Sequence, residues 1–504
     1  MKFNGFVLFR RTISISVLVF ISLGLFGICE SAFHFFSKLQ FGQFFLDITV
    51  QAVVVCSFIL FTSYVFGRIY CSVLCPLGVF QDIAGKLGKF TGRKYSFHAQ
   101  LKFRYLILAI VVVFFVLGIP ALIGILDPYS IYVRGASRLL DKAIGVIADI
   151  ISPVLRSFDI YSYYSSGSVV FPPILILIFI FFAAFFRGRL FCNTICPVGI
   201  ILGCVSQASL FRPAFKGNCI SCGKCEAVCK SECISVTEKI IDSSRCVMCG
   251  NCAAVCPVAA MDYSKRVIKH EREKRATIKS MASTTLFIVL SLIKSKKLLT
   301  NTPILNALSE VFVKSGLYPQ TPAGAMSWAR LLDKCIGCHA CIKRCPSKVL
   351  ESAGMKYGLN GAMKPVLNFN NGFCQYDCVM CGQICPFGAI MPINTDEKHR
   401  IQTGIAAYYR KLCVIITNGE RCGACAEHCP TGALEMKPER GRGIAVPHIE
   451  RSLCVGCGAC EYMCPVIPQR AIVVNPLAVH QTAEMLEVLE NSNIIEENNN
   501  DFKF

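Results

Sequence analysis

Along the first 190 residues, apolar positions come in long unbroken runs, without the 3.6- or two-residue periods of a half-buried helix or strand. Four runs, 12–29, 48–66, 105–126 and 169–186, are 18–22 residues long and contain no charge. That is the length an α-helix needs to cross the hydrocarbon layer of a bilayer. One such run would fit a buried core helix, and the first alone would fit a signal peptide. No small-residue cleavage site follows the first. Four runs with charged loops between them predict an α-helical membrane domain of four helices.

The domain also repeats internally. GRIYCSVLCPLGV at 67–79 lines up with GRLFCNTICPVGI at 188–200. Each copy follows the second span of a pair, so two repeated hairpins related by pseudo-symmetry are expected. Lys and Arg orient them. The N-terminal segment carries Lys2, Arg10 and Arg11. The loop between the second and third spans carries Arg68, Lys86, Lys89, Arg93, Lys94, Lys102 and Arg104 against a single acid, Asp82. The alternate loops, 30–47 and 127–168, show no basic excess. The positive-inside rule then places the N-terminus and both C-x3-C-P segments on the cytoplasmic side.

Composition agrees with a membrane protein. Of 504 residues, 54% are apolar and 17% charged, which excludes disorder. A net charge of +20 would suggest nucleic acid, but its concentration beside the apolar runs assigns it to the membrane surface. No nucleic-acid partner is expected. The 32 cysteines belong to a chain far too long for a small disulfide scaffold.

Beyond residue 215 the cysteine spacing carries the chemistry. Four runs read C-x2-C-x2-C-x3-C: Cys219, Cys222, Cys225 and Cys229; Cys246, Cys249, Cys252 and Cys256; Cys335, Cys338, Cys341 and Cys345; Cys454, Cys457, Cys460 and Cys464. Two variants, Cys374, Cys378, Cys381, Cys385 and Cys413, Cys422, Cys425, Cys429, lengthen the first gap. Proline follows the last cysteine in five of the six; Lys230 stands there in the first. Three closely spaced thiolates grip three irons of a cubane, and the fourth, turned away by proline, ligates the neighbouring cluster. Tetrahedral zinc would bring two separated C-x2-C halves or companion histidines. The runs therefore predict six [4Fe–4S] clusters in α+β modules of bacterial-ferredoxin type. The last four runs can pair in sequence or nest, with sequential pairing preferred.

Eight cysteines remain. Cys71, Cys75, Cys192 and Cys196 form the repeated C-x3-C-P pairs. Residues i and i+4 of a helix share a face, so the pairs are expected to present four thiols for an additional redox or metal site, with small apolar fillers as the alternative. Cys233 is either a spare thiol or a substitute ligand near Cys229. Cys29, Cys56 and Cys204 read as packing residues. The haem c pattern Cys335-Ile-Gly-Cys338-His339 is already used by a cluster run, and none of the eight histidines falls in an apolar run. No haem is expected, and no dinucleotide or phosphate-loop fingerprint is present, so no nucleotide and no substrate site of the chain's own.

On these motifs, residues 1–262 resemble the membrane ferredoxin subunit of periplasmic nitrate reductase systems (NapH). Residues 325–476 resemble the four-cluster partner of the NapG and methylamine-utilisation type. The resemblance implies a fusion: a membrane domain at 1–214, a two-cluster module at 215–262, a basic linker at 263–324, a four-cluster domain at 325–476 and a polar tail at 477–504. It further implies electron transfer from quinol to a redox-protein acceptor at the bacterial cytoplasmic membrane. A redox or metal-handling assembly factor is the alternative. The linker's apolar segment 278–293 is expected to be a fifth crossing that puts the four-cluster domain in the periplasm; the alternative is an amphipathic helix on the inner surface.

Overall fold

The computed structural model describes residues 2–26, 28–42, 50–98, 103–116, 121–140, 171–265, 318–358, 360–439 and 444–484. Two compact units emerge: residues 1–312 with 336–338, and residues 313–335 with 339–504. The expected crossing at 278–293 lies outside the described residues.

In the first unit, Lys2–Gly24 is helical, and its stretch Gly5–Gly24 is the one helix among the described residues long and apolar enough to cross a membrane. The helices Val50–Phe66, Phe103–Val116 and Phe171–Arg187 coincide with the other three apolar runs but are shorter. Residues flanking them, at 43–49, 117–120 and 141–170, lie outside the described residues.

Both C-x3-C-P segments fold alike. A glycine in the left-handed region, Gly67 (φ 80°) or Gly188 (φ 59°), ends the preceding helix. A short helix follows, Tyr70–Val73 or Leu190–Thr194, and then a longer one, Pro76–Phe90 or Pro197–Gln207. Proline suits the first helical position, where its missing N–H costs nothing. It also forces the residue before it to be extended, and Cys75 (φ −77°, ψ 114°) and Cys196 (φ −64°, ψ 116°) are. This corrects the expectation of a shared helix face. Cys71 and Cys75, like Cys192 and Cys196, sit on either side of a helix break.

The two-cluster module follows directly. Strands Phe211–Phe215 and Met261–Lys265 pair antiparallel, joining its two ends, and Ile234–Ser235 pairs with Ile240–Ile241. Short helices Lys224–Ala227 and Asn251–Val255 carry the third cysteine of each run. The second unit repeats this α+β plan. Its strand pairs are Leu350–Ser352 with Pro365–Leu367, Leu434–Pro438 with Ala445–Ile449, and Ile401–Tyr408 with Ile472–Thr482.

Candidate functional site

In the four regular runs, the residues on both sides of the second cysteine have positive φ: Ser221 and Gly223, Met248 and Gly250, Gly337 and His339, Gly456 and Gly458. Such turns aim successive N–H groups into a concavity that favours anions. The variant runs lack this pair, consistent with their lengthened first gap. Three cavities are each lined by four cysteines: Cys219, Cys222, Cys225 with Cys256; Cys413, Cys422, Cys425 with Cys464; and Cys429 with Cys454, Cys457 and Cys460. Each takes three thiols from one run and the fourth from its partner. Cys252 lies in the field of Cys249, Cys246 and Cys229, as a second cluster of the first module requires. In the second unit Cys385 faces Cys335, while Cys374 and Cys381 face Cys345. The arrangement is sequential, not nested.

Burial pushes the thiols of Cys225, Cys425 and Cys457 up, to about 11, 11 and 12. Crowded, desolvated thiolates need a cation to compensate them, and the iron of a cluster would supply it. Backbone N–H groups of Ala260 and Ile390 reach Cys256 Sγ (3.2 Å) and Cys385 Sγ (3.5 Å), a contact suited to cluster thiolates. These residues fit [4Fe–4S] clusters. No three His, Cys, Asp or Glu side chains among the described residues close to the spacing of a single metal ion. His339 turns its ring Nε2 to the Met363 carbonyl (3.2 Å).

The C-x3-C-P segments interlock through an exchange of arginines. Arg68 Nη2 donates to the Cys192 carbonyl (3.2 Å), and Arg189 Nη1 donates to the Cys71 carbonyl (2.6 Å). Gly78 and Gly199 make room: a Cβ on either would overlap the carbonyl of Cys71 or Cys192. The four thiols are buried, and Cys75 and Cys196 each lie in the field of Cys71 and Cys192. Burial foremost, then the neighbouring sulfurs, holds Cys75 and Cys196 well above the ordinary thiol value. Gln81 Nε2 donates to Cys192 Sγ (3.1 Å). The four thiols lie within each other's fields, but no three of them close to the geometry of a mononuclear metal site.

The exchange is symmetric, but its second partners are not. Arg189 forms a bidentate pair with Asp82 (both 2.8 Å). At the repeat-equivalent position stands Gly203, and Arg68 Nη1 instead donates to the carbonyl of Ser244, in the two-cluster module (2.9 Å). Asp82 also pairs with Lys230 and, at 3.8 Å, Arg10. Burial alone would raise this carboxyl, but Arg189 and Lys230 hold it well below the usual carboxylate range. Burial draws Lys230 down to about 8 against the pull of Asp82. A lysine in place of the usual proline thus ties the loop after Cys229 to the C-x3-C-P segments. In the sequence Asp82 stands out only as the single acid of a basic loop. Cys233 is buried with its Sγ 3.5 Å from Cys229 Sγ, and this sulfur contact lowers the Cys229 thiol from its ordinary value.

Cysteine cradles of this form, repeated in paired modules, define a multi-cluster [4Fe–4S] ferredoxin that transfers electrons. Residues 218–260 and 420–467 match the family described as a 4Fe-4S dicluster domain, and 242–349 match a second family of that description. Residues 50–95, 169–217 and 379–393 match a 4Fe-4S binding domain. The chain is 30% identical over 190 residues to the ferredoxin-type protein NapG of Escherichia coli K12, covering 34% of this chain and 80% of that protein. It is 30% identical over 141 residues to NapF of the same strain (27% and 75%). A third relative is the methylamine utilization ferredoxin-type protein MauM of Methylobacillus flagellatus, 30% identical over 167 residues (31% and 67%). The chain belongs to the NapG/MauM-type family of ferredoxin-type proteins. No solved structure matches it.

Proposed function

We propose that the chain is a membrane-bound polyferredoxin, a fusion of a NapH-like subunit with a four-cluster subunit, relaying electrons from quinol through six [4Fe–4S] clusters to a redox protein. The observation that carries this reading is the bonding of both C-x3-C-P segments to loops of the two-cluster module, the first through Arg68 to the Ser244 carbonyl and the second through the Arg189 N–H to the Lys230 carbonyl. Electron transfer needs such rigid continuity between a lipid-soluble donor and the first cubane. Val54, Phe58 and Phe61 on one apolar helix and Phe179 and Phe182 on another are more than half exposed, which suits lipid contact. On this reading the basic N-terminal segment lies in the cytoplasm, and a crossing at 278–293 would put the four-cluster domain in the periplasm.

The test is anaerobic reduction of the purified chain by a menaquinol analogue, followed by EPR. Cluster signals should grow at the expense of quinol; an oxidised chain that quinol leaves unchanged, while dithionite reduces it, sinks the reading. Iron analysis should give about 24 atoms per chain, four for each of six cubanes, and a value of about 16 or fewer would defeat the count. The four converging thiols favour a second reading, a metal-handling assembly factor. It requires copper or zinc bound at Cys71, Cys75, Cys192 and Cys196 and lost in a Cys75→Ala, Cys196→Ala double variant.

A further inference from the structure

A cavity of about 440 Å³ opens where the start of helix Lys2–Gly24 meets the two-cluster module. Its size falls within the range of small-molecule pockets. The walls are aliphatic: Val7 and Leu8 on the helix, Val228 and Val255 on the module. Three polar side chains project into the same space, Arg11, Lys89 and Asn251. Arg11 Nη2 donates to Asn251 Oδ1 (3.3 Å), and the Lys89 ammonium lies over the Tyr95 ring (5.0 Å from its centroid).

Two placements give the cavity a role. Val228 and Val255 immediately precede Cys229 and Cys256, the exchanged fourth ligands of the module's two cubanes, so an occupant lies against both cluster loops. Leu8 and Phe9, both about two-thirds exposed, sit at the threshold of the apolar run that begins at residue 12. The cavity therefore adjoins the end of the apolar run from which a lipid-borne ligand would arrive.

We propose that this cavity is the quinol-oxidising site of the chain, an inference that rests on the reading of quinol as donor. A quinol head is flat and apolar on its faces and polar at two opposite oxygens. The valine and leucine walls suit the faces, and Arg11, Lys89 and Asn251 suit the oxygens. Oxidation converts the quinol to quinone, breaking two O–H bonds. Two protons leave to water through the open mouth. Two electrons leave singly, with oxidised iron–sulfur clusters as the one-electron acceptors. An anionic phospholipid would also suit the two cations, but it has no electrons to give to the two cluster loops that back the cavity.

The experiment uses the full-length chain in detergent with menadiol as donor and an azido-naphthoquinone as photolabel. Arg11→Ala and Lys89→Ala should each raise the KM for menadiol about tenfold, the loss of one hydrogen bond from a charged donor. Leu8→Trp, which fills the cavity from the helix side, should block reduction. In all three the dithionite-reduced EPR spectrum should stay that of the wild type. The photolabel should map to residues 5–11 or 86–94 by mass spectrometry. Wild-type KM values in all three variants, or a label confined to other segments, would overturn the inference while leaving quinol as donor. Loss of a co-purifying anionic phospholipid from the variants with KM unchanged would also overturn it, making the cavity a lipid site. A wild-type chain that menadiol does not reduce marks failure of the parent reading instead.

Discussion

Replacing Asp82 by alanine should destabilise the first unit by about 3–5 kcal/mol, because it strands the buried Arg189 and Lys230 without their counter-charge. In a unit of this size that is a fall of about 5–8 °C in melting temperature. Asp82→Asn keeps an acceptor for Arg189 and should fall between the two. The pH dependence has a definite sign. A carboxyl held low in the folded state stabilises above its unfolded value of about 4, and loses that stabilisation as pH falls through the folded value. The wild type should therefore lose stability in acid by a component that Asp82→Asn lacks. Thermal unfolding in detergent across pH measures both effects, and an alanine variant melting within about 1 °C of the wild type at neutral pH would show that the cations find other partners.

Gly188→Ala should be nearly as severe. Gly188 has φ 59°, and a Cβ there would overlap the carbonyl oxygen of Lys230, which accepts a hydrogen bond from Arg189 N–H (2.9 Å). The left-handed backbone costs an alanine about 1 kcal/mol, and forced repacking adds about 1–3 kcal/mol. Gly92→Ala supplies the control, since Gly92 has φ 77° but nothing within 4 Å of the new Cβ. Gly188→Ala should lower the melting temperature several-fold more than Gly92→Ala and speed hydrogen exchange of the Arg189 amide. Equal effects would mean that contact with the Lys230 loop is not tight.

What the sequence discloses here is what is encoded locally. The apolar runs depend only on composition over about 20 residues, and the cubane runs on gaps of two or three. Neither asks where the chain goes next. The pairing of the last four runs does, and spacing is silent on whether Cys429 meets Cys454 or Cys374. Asp82 is likewise a matter of distance in sequence: its partners Arg189 and Lys230 lie 107 and 148 residues away. The repeat alignment puts Arg68 and Arg189 in equivalent places but cannot say that each crosses to the other copy. Cys75 is a different failure, because the local signal was present. Pro76 disfavours a continuous helix through Cys71 and Cys75, so helical spacing does not extend across it.

The crossed arginines bear on how such a chain arises. Arg68 satisfies a carbonyl of the second copy, and Arg189 satisfies the matching carbonyl of the first. Contacts of that reciprocal kind are those of a two-fold symmetric homodimer, in which one surface is complementary to itself. A gene for a single C-x3-C-P segment would already encode both halves of the junction, so duplication and fusion would preserve it without any new residue. Once the copies share a chain they are released from identity. The carboxylate at 82 and the glycine at 203 record that release: one copy keeps a counter-ion, and the other yields its place to a carbonyl of the appended ferredoxin.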